Sequence, residues 1–239
     1  MADEQLIDNE ALDRSLRHLR REASDGELTG ALQQVLVATR GLFSAAGAGF
    51  MMIDDTSMLR FVAATDEPGR LLESRQQAIG HGPCVDSLTF DRVICTSDLA
   101  LDDRWPALLP ELPEAGVRAL LGVPIHADRM PIGALNVYRD RPAEWSDSEI
   151  DALQAYGTLI EGLLRTALMA HTRGEMVEQL QHALDHRVVI ERAVGALMLR
   201  DGTDAVTAFN KLRNAARSSE QKVADVAAEL LARIPGNRR

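Results

Sequence analysis

The chain has 239 residues, 46% hydrophobic and 26% charged, with a formal net charge of −10; this is ordinary globular composition and excludes wholesale disorder. No apolar run approaches the roughly 18 residues of a membrane span, and the acidic start Met1-Ala2-Asp3-Glu4 is not a secretory signal. Two cysteines, Cys84 and Cys95, are too few for a disulfide framework or a dedicated zinc site, so the expectation is a reducing, cytoplasmic setting with no metal and no cofactor.

In chain order, residues 3–46 read as helical. Leu12, Leu16 and Leu19 share one face, and Leu28, Leu32, Val35, Leu36 and Leu42 resume the pattern after a break at Asp25-Gly26. Ala48 to Asp54 and Leu59 to Thr65 read as strands around a polar turn, and residues 67–77 as a helix. Gly80-His81-Gly82-Pro83-Cys84 reads as a loop and Arg92 to Thr96 as a short strand. Trp105-Pro106, Pro110 and Pro113 rule out a continuous element over 97–116. Arg118 to His126 and Met130 to Arg139 are the strongest strands, turning at Asp128-Arg129. Both faces of this hairpin are largely apolar, which places it centrally under helices. The first domain is therefore α+β, an antiparallel sheet with flanking helices.

Ser146 with Glu149 forms a capping box that opens a helical pattern. Its stripe runs through Ile150, Leu153, Tyr156 or Gly157, Ile160, Leu163 or Leu164, Ala167 and His171. After Gly174 it resumes at Val177, Leu180, Leu184 and Val188. A helix of about 50 residues would span about 75 Å, a length suited to a parallel homodimer seam with a break near Gly174. The competing reading is a helix packed back on its own domain. Asp201-Gly202 should stop this helix and Thr203 cap the next, whose stripe is Ala205, Phe209, Leu212 and Ala216. Ser218 with Gln221 reads as a second capping box, opening a third helix with Val223, Val226, Ala227, Leu230 and Leu231 inward. Three such stripes close as a small all-α bundle.

Charge divides with the domains. Up to Arg173 the net charge is −11, and from Gly174 onward it is +1; a polyanion would be bound by the tail and repelled by the body. Its cations include Arg187, Arg192, Lys211, Arg213, Arg217 and Lys222. Ala193, Gly195 and Ala196 make a patch of small side chains where a helix or a nucleic-acid strand can approach closely. His182 and His186, four apart, read as helix-surface residues and not as metal ligands.

The run His186-Arg187-Val188-Val189-Ile190-Glu191-Arg192-Ala193-Val194-Gly195-Ala196-Leu197-Met198, then Ala208-Phe209-Asn210-Lys211-Leu212-Arg213 and Lys222-Val223-Ala224-Asp225-Val226-Ala227, resembles the ANTAR domain. The resemblance implies a bacterial RNA-binding module for transcription antitermination that engages stem-loops. It would contact RNA through Arg187, Arg192, Arg213, Arg217 and Lys222, with Ala193 and Gly195 allowing close approach. Val194, where the family usually has Lys, and Glu220-Gln221, where it is usually more basic, depart from its pattern.

Gly82-Pro83-Cys84, Asp98-Leu99, Asp102-Asp103-Arg104-Trp105-Pro106, Gly116-Val117-Arg118, Val123-Pro124-Ile125 and Ile132-Gly133-Ala134-Leu135-Asn136-Val137-Tyr138 resemble a GAF domain. That likeness implies a sensor whose small-molecule pocket is lined by residues 80–86 and 98–106 with Arg118; Cys84, Asp86 and Arg118 are its candidate ligand contacts. The expected organisation is a helical extension (1–27), a GAF-like sensor (28–168), a connecting helix or coiled coil (147–185) and an ANTAR-like domain (174–234). Two other outputs compete. One is a DNA-binding helix-turn-helix reading through residues 219–232, where Asp225 and Glu229 oppose phosphate. The other is sulfoxide reduction at Cys84, for which Cys95 does not match the resolving-cysteine positions.

Overall fold

The computed structural model describes residues 6–22, 27–54, 59–109, 111–127, 130–170, 175–219 and 221–233. The breaks expected at Asp25-Gly26, Asp128-Arg129 and Gly174, the tip of the turn after Asp54, and the stop at Ile234-Pro235-Gly236-Asn237 lie outside the described residues. The chain divides into two compact units, one of residues 1–52 and 59–172 and one built on residues 173–239.

In the first unit, α1 (Asn9–Glu22) and α2 (Leu28–Leu42) precede β1 (Gly47–Ile53) and β2 (Leu59–Ala64). Next come α3 (Glu67–Ile79), α4 (Pro83–Phe90), β3 (Ile94–Thr96), β4 (Ala119–Ala127), β5 (Met130–Arg139) and α5 (Asp147–Met169). The sheet runs β2-β1-β5-β4-β3, with β1/β5, β5/β4 and β4/β3 antiparallel. As the apolar texture of both faces requires, β4 and β5 lie inside, covered on each side. Neighbouring positions on β4 mark the two faces. A Cβ at Gly157 of α5 would touch Val123 and Ile125, while Gly122 sits beside Asn136 on the side of α3 and α4. That second side holds a core of Leu72, Leu99, Trp105, Leu108, Leu112, Leu120 and Tyr138.

The loop expected at 80–84 is shorter than the sequence suggests. Gly80 closes α3 in the left-handed region (φ 65°), Gly82 takes φ 148°, and Pro83 opens α4. Eight residues with no polar face carry too little periodicity to announce a helix, whereas Pro at the first helical position fits it well. Residues 97–116 contain two single 3₁₀ turns, Leu99–Leu101 and Pro106–Leu108, in keeping with their prolines.

The capping box at α5 forms as expected, and Glu149 does more than cap. It is fully buried and pairs with the guanidinium of Arg139, itself stacked over Trp145 at 4.2 Å. The α5 stripe of Leu153, Tyr156, Gly157, Ile160, Leu164 and Ala167 is buried, and α5 packs on β4, α1 and α2. This corrects the seam reading for that half of the pattern: the apolar face is consumed by its own sheet domain.

The second unit contains α6 (Glu175–Asp201), α7 (Ala205–Ser219) and α8 (Val223–Ala232). Ile190, Ala193, Leu197, Ala208, Leu212, Ala216, Val223, Ala224 and Ala227 make its core. Gly202 stops α6 at φ 63° as expected. Two caps differ from expectation. Asp204, not Thr203, receives the Thr207 N–H (2.8 Å), and α8 begins after Lys222 with no side-chain cap, Ser218 belonging to the last turn of α7.

Glu149→Ala removes the cap and leaves Arg139 buried without its carboxylate. The expected loss is about 3–5 kcal/mol, read as a lower urea midpoint of the sheet domain in the full chain. Asp151→Ala, exposed on the same helix, should move it by under about 0.5 kcal/mol.

Candidate nucleic-acid interface and buried sensor cluster

The bundle sorts the seven candidate RNA residues by the face each helix presents. On α6 the inward positions are Ile190, Ala193 and Leu197. Ala193 is completely buried, so the close approach it allows is that of α7 and α8, whose facing residues Ala208, Ala224 and Ala227 are equally small. This corrects its assignment to RNA. Arg187 is corrected too: it is 8% exposed and its Nε donates to Glu191 Oε1 at 3.0 Å. A guanidinium held against a carboxylate one turn away serves the bundle.

Arg192 and Gly195 lie outward, with Val188 and Leu199 above and below them on one exposed stripe. A Cβ at Gly195 would meet nothing within 4 Å, so no contact inside the bundle explains the glycine. Lys222 is exposed at the start of α8 and Arg213 half-buried on α7. Arg217 lies on α7, and its side chain, like that of His182, is outside the described residues. Lys211 is bound to Asp201 (2.9 Å), which Arg200 also grips (2.6 Å); Arg200 and then Lys211 hold that carboxyl far below its usual range. Arg192, Arg213, Arg217 and Lys222 stay candidates for contact with RNA. On α8, Asp225 and Glu229 are exposed, a poor face for duplex phosphates.

In the sheet domain, four polar side chains from three elements converge under α3 and α4. Glu73 and Gln76 of α3, Cys84 of α4 and Asn136 of β5 are all fully buried. The Cys84 backbone N–H donates to Gln76 Oε1 (2.7 Å). Gln76 Nε2 donates to Glu73 Oε2 (3.1 Å) and approaches Cys84 Sγ (3.2 Å), and Asn136 donates to Glu73 Oε1. Gly49 and Gly82 are required here, because a Cβ at either would collide with Glu73 or Gln76. Burial lifts the Glu73 carboxyl to about 7 against the hydrogen bonds from Asn136 and Cys84, and burial with the neighbouring Glu73 pushes the Cys84 thiol well above its ordinary value. A thiol kept protonated is a poor nucleophile.

Asp86, two residues on, accepts from the indole of buried Trp105 (2.8 Å); burial raises its carboxyl. Asp86 Oδ1 and Asn136 Oδ1 are buried acceptors without a hydrogen bond from the described residues. Arg118, the third candidate ligand contact, is held by Asp98 in a two-pronged pair (2.8 and 2.7 Å). Sequence reading missed Glu73, Gln76 and Asn136. A lone Asn in an otherwise apolar strand was the available signal, whereas Glu73 looked like any polar helix residue.

Because the folded pKa of Glu73 exceeds its unfolded value, its contribution to stability is fully present below about pH 4.5 and is lost as pH rises through about 7. Unfolding at pH 5 and pH 8 should show wild type losing on the order of 3 kcal/mol more than Glu73→Gln over that interval. Equal losses would refute the assignment.

Residues 27–164 match the GAF domain family and residues 178–231 the ANTAR domain family. No curated protein matches the chain. Among solved structures, the sheet domain is similar to the free methionine-R-sulfoxide reductase of Neisseria meningitidis in complex with its substrate. That match has 15% identity and a TM-score of 0.55, and covers 71% of this chain and 99% of that one. The GAF domain of an Acinetobacter phosphoenolpyruvate-protein phosphotransferase matches at 15% identity and TM-score 0.56, covering 70% and 99%. A domain of a putative two-component sensor histidine kinase from Sinorhizobium meliloti 1021 matches at 22% and 0.51, covering 63% and 100%. At such identities the likeness speaks for the fold. With more than half of its residues matched, the chain belongs to the GAF family, and an ANTAR domain follows the sensor.

Proposed function

We propose that this chain, which its GAF and ANTAR domains make a sensor-regulated, RNA-binding antitermination regulator and not an enzyme, binds stem-loops in nascent transcripts from the cytoplasm. The observation that carries this reading is the outward face of the bundle. Arg192 stands beside Gly195 with open space where a side chain would be, and Lys222 and Arg213 supply further charge. RNA loops are recognised by cations on phosphates and by close approach to splayed bases, and an open glycine permits both. Arg217, on the same helix as Arg213, joins this set.

A homodimer doubles the contact by presenting two bundles to two loops. Since α5 spends its apolar face on the sheet, α6 is the helix that pairs, through Val177, Leu184 and Val188, of which Val188 is 45% exposed. The sensor takes a small molecule on the α3–α4 side, where Asp86 and Asn136 each keep an acceptor unpaired. That ligand controls RNA binding.

Hairpin RNA binding by the full chain should weaken steeply with salt. Arg192→Ala and Lys222→Ala should each reduce the slope of log K against log salt by about 1, while duplex DNA binds poorly. A salt-independent affinity, or unchanged slopes in both variants, would remove the RNA assignment. In sedimentation, Val188→Asp should convert the full chain from dimer to monomer; a monomeric wild type would end the α6 pairing.

A further inference from the structure

We propose that His126 is a proton-operated clasp: its imidazolium binds the end of α4 and helix α5 together, and loss of one proton releases Asp91 while Glu161 stays bound. The ring sits at the end of β4, where the β4/β5 register slips between Ile125 and His126. A bulge of this kind re-aims a side chain, and here it turns the imidazole to the sheet edge between two helices. Nδ1 lies 2.8 Å from Glu161 Oε1 on α5, and Nε2 lies 2.6 Å from Asp91 Oδ1 at the C-cap of α4.

Both ring nitrogens therefore face carboxylate oxygens. Only the imidazolium has two N–H donors; a neutral ring must turn one lone pair toward one of these oxygens, which repels it. The two contacts are not equally dispensable. Glu161 Oε1 also accepts the backbone N–H of His126 at 2.8 Å, so it stays bound after deprotonation. Among the described residues Asp91 has no such second hold on His126. Release of Asp91 relieves the repulsion.

The surrounding charges are few. On β5 the residue paired with His126 is Pro131, without charge, and Arg92, beside Asp91, lies over the Phe90 ring at 4.9 Å. Asp91 and Glu161 are the charged groups acting on the ring among the described residues. Burial opposes its charge, but the hydrogen bonds to the two carboxylates outweigh it and the net shift is upward from 6.5. The clasp is accordingly closed below pH 6.5 and opens as pH rises through the folded value. It joins two elements with different duties: α4 carries Cys84 and Asp86 at its other end, and α5 is the last helix of the sensor before the ANTAR domain.

The test is hydrogen exchange of the full chain between pH 6 and pH 9, corrected for intrinsic rates, alongside the His126 imidazole resonance identified by its loss in His126→Gln. In wild type, amides of residues 87–94 should exchange ~10-fold faster once the imidazole has titrated, while residues 158–166 keep their protection. His126→Gln should show no pH step. Asp91→Asn should exchange fast at both pH values and move the imidazole midpoint toward 6.5, which a purely packing role for Asp91 would not do. A titrating imidazole with unchanged exchange at 87–94, a pH step that persists in His126→Gln, or an imidazole that does not titrate in this range would overturn the proposal.

Discussion

The constraint on which this molecule depends is that its sheet is covered on both faces. β1, β4 and β5 carry almost no exposed side chain, so any polar group on them must be satisfied from within. Asn136 meets that demand for its amide N–H groups with Glu73 and Cys84, though not for its Oδ1, and Arg139 meets it with Glu149. The same demand fixes where glycine stands: Gly49 and Gly82 leave room for the Glu73–Gln76 pair that α3 lowers onto the sheet. A buried carboxyl with amide and thiol neighbours but no cation is an unusual way to fill a core. It leaves a titratable group under α3 and α4.

Polar contacts of this kind also tie the sensor's helices to one another. α4 is short, begins at a proline and ends at a left-handed Asp91, and its two ends bind different things. The first turn faces Gln76 and Trp105 through Cys84 and Asp86, and the last is held through His126 to Glu161 of α5. The ion pair at the base of α5 anchors that helix where it leaves the sheet.

The bundle illustrates how packing and binding compete for the same residue types. Small side chains allow helices to approach, and the five buried alanines of the α6, α7 and α8 core serve that packing. Gly195 is different, since its free side has no neighbour to accommodate. Likewise Arg187 and Lys211 are drawn into carboxylate pairs while Arg192 remains outward. Basic composition therefore overstates the cationic surface, and only the helical phase tells which charges reach it.

Much was legible beforehand because it rests on local chemistry. The Ser146–Glu149 box, Gly202 as a helix stop, the β4 and β5 strands and the stripes of the three bundle helices all follow from nearest-neighbour patterns. So did the GAF and ANTAR resemblances, which are carried by spaced motifs. Other features were settled by contacts between distant residues. Glu73 and Asn136 are 63 positions apart, Asp91 and Glu161 meet only through the bulge at His126, and Asp98 claims Arg118 across a loop. The α5 stripe admitted two partners, a second chain, which the length of the pattern favoured, or its own sheet. Periodicity marks which side of a helix is apolar, but what covers that side is a matter of three-dimensional proximity, and here the sheet covers it.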